Sequence, residues 1–159
     1  MIEDVVRLAI VLAFAILAGW TDITRRHIAN RLVVVCLAAG LCFAIWSGGL
    51  SALGWHAVHA VVALLVGMVL FAIRAVGGGD GKFYAAVAAF FPLQQGLSLG
   101  IAIALAGGFL LAVWLVWRLA TRARRKSHAV DGEDLFARLP YGVAIGAGAT
   151  ALAAMPLLY

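Results

Sequence analysis

Charge is scarce in this chain: 12% of its 159 residues are charged and 65% are hydrophobic. A soluble domain of that length needs far more polar surface to face water on all sides, so that class is excluded. Mean hydropathy of +1.08 points to a single integral membrane domain over residues 1–159, all-α, with most helices facing lipid. Cysteine is almost as rare. Cys36 and Cys42 lie in one apolar segment without CxxC spacing, which excludes a zinc or disulfide framework and leaves two small buried thiols. Basic residues are missing ahead of the first apolar run, since MIEDVVRLAI opens on acids. That opening reads as a retained first span rather than a signal peptide.

Several site chemistries are missing too. The glycine run AVGGGDGKF could suggest a phosphate loop, but GxxxxGK ending on Lys82 needs glycine at 76 and a hydroxyl at 83. Those positions hold Val76 and Phe83. A dinucleotide fingerprint needs a preceding strand, and here the flanks are apolar helices. His56 and His59 share a helical face at a metal-ligand spacing, yet no third ligand accompanies them. They read as interfacial histidines, and neither metal nor cofactor is expected. No serine-triad signature is present.

What is there is a set of apolar segments: about 5–21, 32–50, 51–73, 83–95, 96–117 and 140–158. Crossing a bilayer as helix takes about 20 residues. The fourth segment is short and ends on Pro92, Gln94 and Gln95, so charge decides its status. Arg25, Arg26 and Arg31 lie in the first connection, Arg74 and Lys82 in the third, and Arg118, Arg122, Arg124, Arg125, Lys126 and Arg138 in the fifth. The second and fourth connections carry none. Cytoplasmic loops are the ones enriched in Lys and Arg. The alternation therefore predicts a bundle of six transmembrane helices, both termini on the outer side, and cytoplasmic connections near 21–31, 74–82 and 118–139. Arg7, on the outer side, can pair with Glu3 or Asp4. The long basic connection is a topology anchor on anionic lipid headgroups, each cation contributing on the order of 1 kcal/mol. It lacks the interleaved aromatics of a nucleic-acid surface, so no nucleic acid is expected. Gly142, Gly146 and Gly148, with Gly107 and Gly108, read as positions of close helix packing.

Five of the seven acids (Glu3, Asp4, Asp131, Glu133, Asp134) lie where water reaches them. Asp22 and Asp80 do not fit that account. Both fall at the cytoplasmic edge of apolar segments, where an ionisable group is a functional candidate by default. The plain alternative is that Asp22 ends a helix beside Arg25 and Arg26, while Asp80 caps the helix that starts near Lys82. Brought together, however, two carboxyl groups share a proton. The ionised member takes a proton from water, and the protonated member polarises a carbonyl and later protonates the leaving amine. That chemistry hydrolyses a peptide bond without metal or cofactor. Glycines beside Asp80 would allow an extended substrate to approach, and would permit φ > 0. Lys82 either tunes Asp80 or reaches to headgroups.

At these residues the sequence resembles the type IV prepilin peptidases, the GxGD membrane aspartyl proteases. GGGDGK matches their GxGDxK motif, with Asp80 at the catalytic aspartate and Gly77, Gly79 and Lys82 at its other fixed positions. DITRRHIAN is similar to the segment of their first aspartate, which places Asp22 at the other catalytic position and Ile28 and Asn30 at the trailing ones; Ala29 stands where proline is usual. LPYGVAIGAG is similar to the last helix of the short CpaA/TadV-like members that serve Flp-type pili. The resemblance implies an aspartic endopeptidase of the bacterial inner membrane, multi-pass, with its active site facing the cytoplasm. Its substrate would be a prepilin, from which it cuts a short basic leader. Larger members add an N-methyltransferase activity and a cysteine-bearing insert; this chain has neither the insert nor its cysteines, so peptidase activity alone is expected. Two competing readings stand beside it: a small proton-coupled transporter with the acids as relay, and a structural subunit of a secretion or pilus assembly complex with the acids as caps.

Overall fold

The computed structural model describes residues 1–25, 27–122 and 141–158. Among them every regular element is helical: α1 (Ile2–Arg25), α2 (Asn30–Ala72), α3 (Gly78–Ala88), α4 (Gly96–Arg122) and α5 (Tyr141–Ala154). Short 3₁₀ turns cover Leu93–Gln95 and Met155–Leu157. Most of the basic connection predicted at 118–139 lies outside the described residues. Two stretches, Asn30–Ala72 and Leu93–Ala120, are long and apolar enough to cross a membrane.

The α2 stretch has 43 residues. As one straight rod it would measure about 65 Å, twice the hydrocarbon core of a bilayer. It does not run straight. Gly48 and Gly49 leave helical geometry, and Gly49 has φ 65° and ψ −154°, a conformation open essentially to glycine alone. The packing shows the result. Asn30, at the start of α2, and Gly67, near its end, both lie against the first turns of α3 at Lys82 and Gly81. Gly40 and His56, nearer the middle, both lie against Ala89 at the far end of α3. The two legs of α2 therefore fold back as a hairpin, with α3 alongside both.

Helix α3 differs from its predicted form. It begins at Gly78, ahead of the expected start near Phe83, and its 11 residues end at Ala88. Glycine is a poor helix former, so tertiary contact must hold this turn. A Cβ on Gly67 would stand 2.9 Å from the Gly81 Cα and 3.0 Å from its carbonyl oxygen, so the two backbones touch there. The helix is about 16 Å long, half a bilayer core. Beyond it the chain turns through Phe90, Phe91 and Pro92. His56 and His59 close that end: their Nδ1–H groups donate to the carbonyls of Ala89 (2.8 Å) and Phe91 (2.9 Å). A carbonyl cannot donate, so Nδ1 carries the proton in each ring. These histidines are buried rather than interfacial, at 6% and 2% exposure.

The core gathers around Phe90, whose ring meets Phe14 of α1 at 6.5 Å and Phe43 of α2 at 6.2 Å between centroids. Arg7 pairs with Asp4 at 3.0 Å and lies over the Phe91 ring, so its buried guanidinium has both a charge and a π partner. Cys36 is buried, and Cys42 is exposed. Outside this core, α4 turns Leu97, Leu105, Phe109 and Val116 outward. That apolar exterior is what a lipid-facing helix presents. Near its far end Arg118 stacks over Trp114.

Candidate active site

Three helix ends converge at one end of the bundle. The last turn of α1 carries Asp22, the first turn of α3 carries Asp80, and α5 begins there with Tyr141 and Gly142. Asp22 alone would face the negative carbonyl end of its own helix. The start of α5 offsets this: the Gly142 N–H, one of the unpaired amides of a helix N-terminus, donates to Asp22 Oδ2 at 3.0 Å. Buried Ile28, at 3% exposure, packs beside both motifs. It lies 3.8 Å from where a Cβ on Gly79 would be, and 3.0 Å from one on Gly142.

Asp80 sits in the first turn of α3, not ahead of it. Its carboxylate folds back over Gly77, whose backbone N–H favours the ionised form. A Cβ on Gly77 would stand 2.7 Å from Asp80 Oδ2, so glycine at 77 makes room for the carboxylate. The expectation of φ > 0 at this run is not met: Gly77 has φ −71°. Among the described glycines only Gly49 has a positive value. Lys82 Nζ donates to Asn30 Oδ1 at 3.4 Å, which ties the start of α2 to α3 at the surface.

The electrostatics of the two acids differ. Burial, then the negative charge of Asp22, push the Asp80 carboxyl up to about 6, opposed by the Gly77 N–H. Burial also raises Asp22, opposed by the Gly142 N–H. The acids are thus within electrostatic reach of one another, and Asp80 is the one that keeps a proton more readily.

Asp80 opens on a cavity of about 410 Å³. Its walls come from the second leg of α2 (Val66, Leu70), from α3 (Tyr84), from α4 (Ile103, Leu111) and from α5 (Tyr141, Ile145). Among the described residues no group of three metal-ligating side chains occurs. The segment 140–158 reads as a helix in the sequence, and α5 lies there, but the sequence assigns Gly142 to packing with Gly146 and Gly148 and so misses its contact with Asp22. Those two do pack closely, against Ala15 and against the backbone of Ile103, while Gly142 meets Asp22. The signal available was the LPYG segment itself.

The family model of the type IV leader peptidases matches residues 9–116, a span that holds both acids and ends before α5. No curated protein and no solved structure matches the chain.

Proposed function

The chain belongs to the type IV leader peptidase family, and from that premise we propose that it is a membrane-embedded aspartyl endopeptidase of the short CpaA/TadV-like branch. In this reading it removes the short leader from Flp-type prepilins at the cytoplasmic face of the bacterial inner membrane. Asp22 and Asp80 are the catalytic pair. The observation that carries this is the convergence of α1, α3 and α5 at one end, with Asp80 at the edge of an apolar cavity.

Ionised Asp22 takes a proton from a water molecule as its oxygen adds to the scissile carbonyl carbon. Protonated Asp80 gives its proton to the carbonyl oxygen, and a gem-diol forms. Asp22 then protonates the amide nitrogen while Asp80 recovers a proton from one diol hydroxyl. The C–N bond breaks, leaving a carboxylic acid, an amine and the original protonation states. Burial and the Asp22 charge raise the Asp80 carboxyl to about 6, which extends the pH range of the protonated form this cycle starts from. The apolar cavity suits the hydrophobic helix of a prepilin next to its cleavage point.

The six spans of this reading are α1, the two legs of α2, α3 with its following turn, α4, and α5 with its turn. Both termini are outside. Arg25, Arg31, Arg74 and Lys82, all at or beside the helix ends that carry the acids, support a cytoplasmic location for that end. Gly77 and Gly79 keep the approach to Asp80 open. Lys82 with Asn30, and Ile28 between the two motifs, position the pair. Peptidase activity alone is proposed, without methyl transfer. The basic connection rests on anionic lipid.

One observation favours a second reading. The Asp80 carboxylate lies over Gly77, the residue that caps the start of α3, a position which a purely structural subunit would also use. Asp22→Asn and Asp80→Asn, assayed separately on a Flp-type prepilin, decide between them. Each variant is expected to fold and neither to cut. Cutting by either rejects the dyad; loss of folding favours the cap.

A further inference from the structure

We propose that Tyr141 is a third catalytic residue, whose phenolic O–H donates a hydrogen bond to the scissile carbonyl oxygen and to the hydroxyl oxygens of the gem-diol that replaces it. The inference rests on the peptidase reading above. In that cycle the two carboxyls move every proton. Neither is free to act as a standing donor to the oxygen on which charge develops, because Asp80 gives up its proton there. Sites of this kind gain most from a donor already aimed at that oxygen.

The cavity wall narrows the choice. Apart from Asp80, the only side chains with a polar hydrogen-bonding group among the described residues of the wall are Tyr84 and Tyr141. Tyr84 lies one helical turn past Asp80 on α3, further from the end where the acids meet. Tyr141 is the first residue of α5, at that end, and is within electrostatic reach of Asp80. It immediately precedes Gly142, whose N–H holds Asp22. One helix start therefore addresses both acids: Gly142 orients the base, and Tyr141 flanks the acid. Among the described residues no protein group takes the Tyr141 hydroxyl, and the residue is only partly buried, so the O–H is available to a ligand in the cavity. No bond to oxygen or carbon of the tyrosine forms or breaks. The phenol lends its hydrogen and keeps it.

The test is Tyr141→Phe in the full-length protein, with wild type and Asp80→Asn as controls, on a Flp-type prepilin with a short basic leader. The ring stays, so melting temperature and KM are expected to stay within error and within threefold. The rate constant kcat is expected to fall about 100- to 1000-fold, as when one oxyanion donor is removed. A peptide carrying a hydroxymethylene group in place of the scissile amide mimics the diol. Its affinity is expected to drop by at least tenfold in the variant while substrate affinity holds. A kcat within threefold of wild type overturns the proposal. So does a loss confined to KM, which would make the ring a mere wall of the cavity. An inactive wild type, or a cutting Asp80→Asn, is a different result: it removes the peptidase reading itself.

Discussion

Gly142→Ala separates the chemistry of this site from its stability. A methyl group at 142 would stand 2.9 Å from Asp22 Oδ2 and 3.0 Å from Ile28 Cδ1. Ordinary contact begins near 3.4 Å, so the carboxylate must retreat by about 0.5 Å or swing off its bond to the Gly142 N–H. Both obstructing atoms are the tips of flexible side chains, so the backbone need not move. A misplacement of about 1 Å in a catalytic group can cost on the order of 100-fold. Half that shift, with the orienting bond weakened, predicts a fall in kcat of roughly 10- to 100-fold. Stability should move the other way or not at all, because alanine is favoured over glycine in helix by up to about 1 kcal/mol. The assay is prepilin cleavage in detergent or liposomes, paired with thermal unfolding of the same preparation. A variant that cuts within threefold of wild type would show that Asp22 does not depend on the start of α5. A loss that tracks a lowered melting temperature would make the effect one of folding.

Four further outcomes follow from the same geometry. The proposed cycle starts with Asp22 ionised and Asp80 protonated, and raising an acid's pKa extends its protonated range upward. The rate should therefore decline as pH rises through about 6, where Asp80 loses its proton, and on the acid side at a pH above the ordinary Asp value of 3.8, where Asp22 gains one. Asp22→Asn removes the charge that helps hold Asp80 up, so the Asp80 carboxyl, followed by ¹³C chemical shift, should titrate lower; an unchanged or higher titration would mean the acids do not interact. Ala29 already holds φ −64°, the angle proline imposes, so Ala29→Pro should raise stability by about 0.4–1 kcal/mol by thermal melt with cleavage retained. Gly148→Ala would place a Cβ 2.5 Å from the Ile103 Cα, forcing α4 and α5 apart, and should cost about 1–3 kcal/mol; an unshifted melt would contradict the packing.

Composition carries the all-helical, lipid-facing character because burial of charge is costly everywhere along the chain, and Arg and Lys then mark helix ends by their cost in the apolar phase. Asp22 and Asp80 stood out in the sequence for the same reason: each is a carboxylate at the edge of an apolar segment. Features set by contacts distant in sequence were not legible. The glycines beside Asp80 read as room for a substrate on a turn that permits φ > 0, yet the Gly67 backbone lies against Gly81 and the segment from Gly78 is helix. His56 and His59 read as interfacial, because nothing local announces that two carbonyls near Pro92 need donors. The hairpin in α2 was expected one or two residues later than Gly48–Gly49. Gly142 looked like its packing neighbours Gly146 and Gly148, since spacing alone does not say what lies opposite.

The short α3 has a mechanical consequence. It carries Asp80 within protein walls and is pinned at its far end by two imidazoles, whereas α4 lines the cavity and shows its other side to the surroundings. Stretching or thinning the bilayer should tilt α4 first and leave the carboxyl pair at rest. Acyl-chain length would then regulate how well the substrate is captured, read in KM, while the turnover of bound substrate stays level.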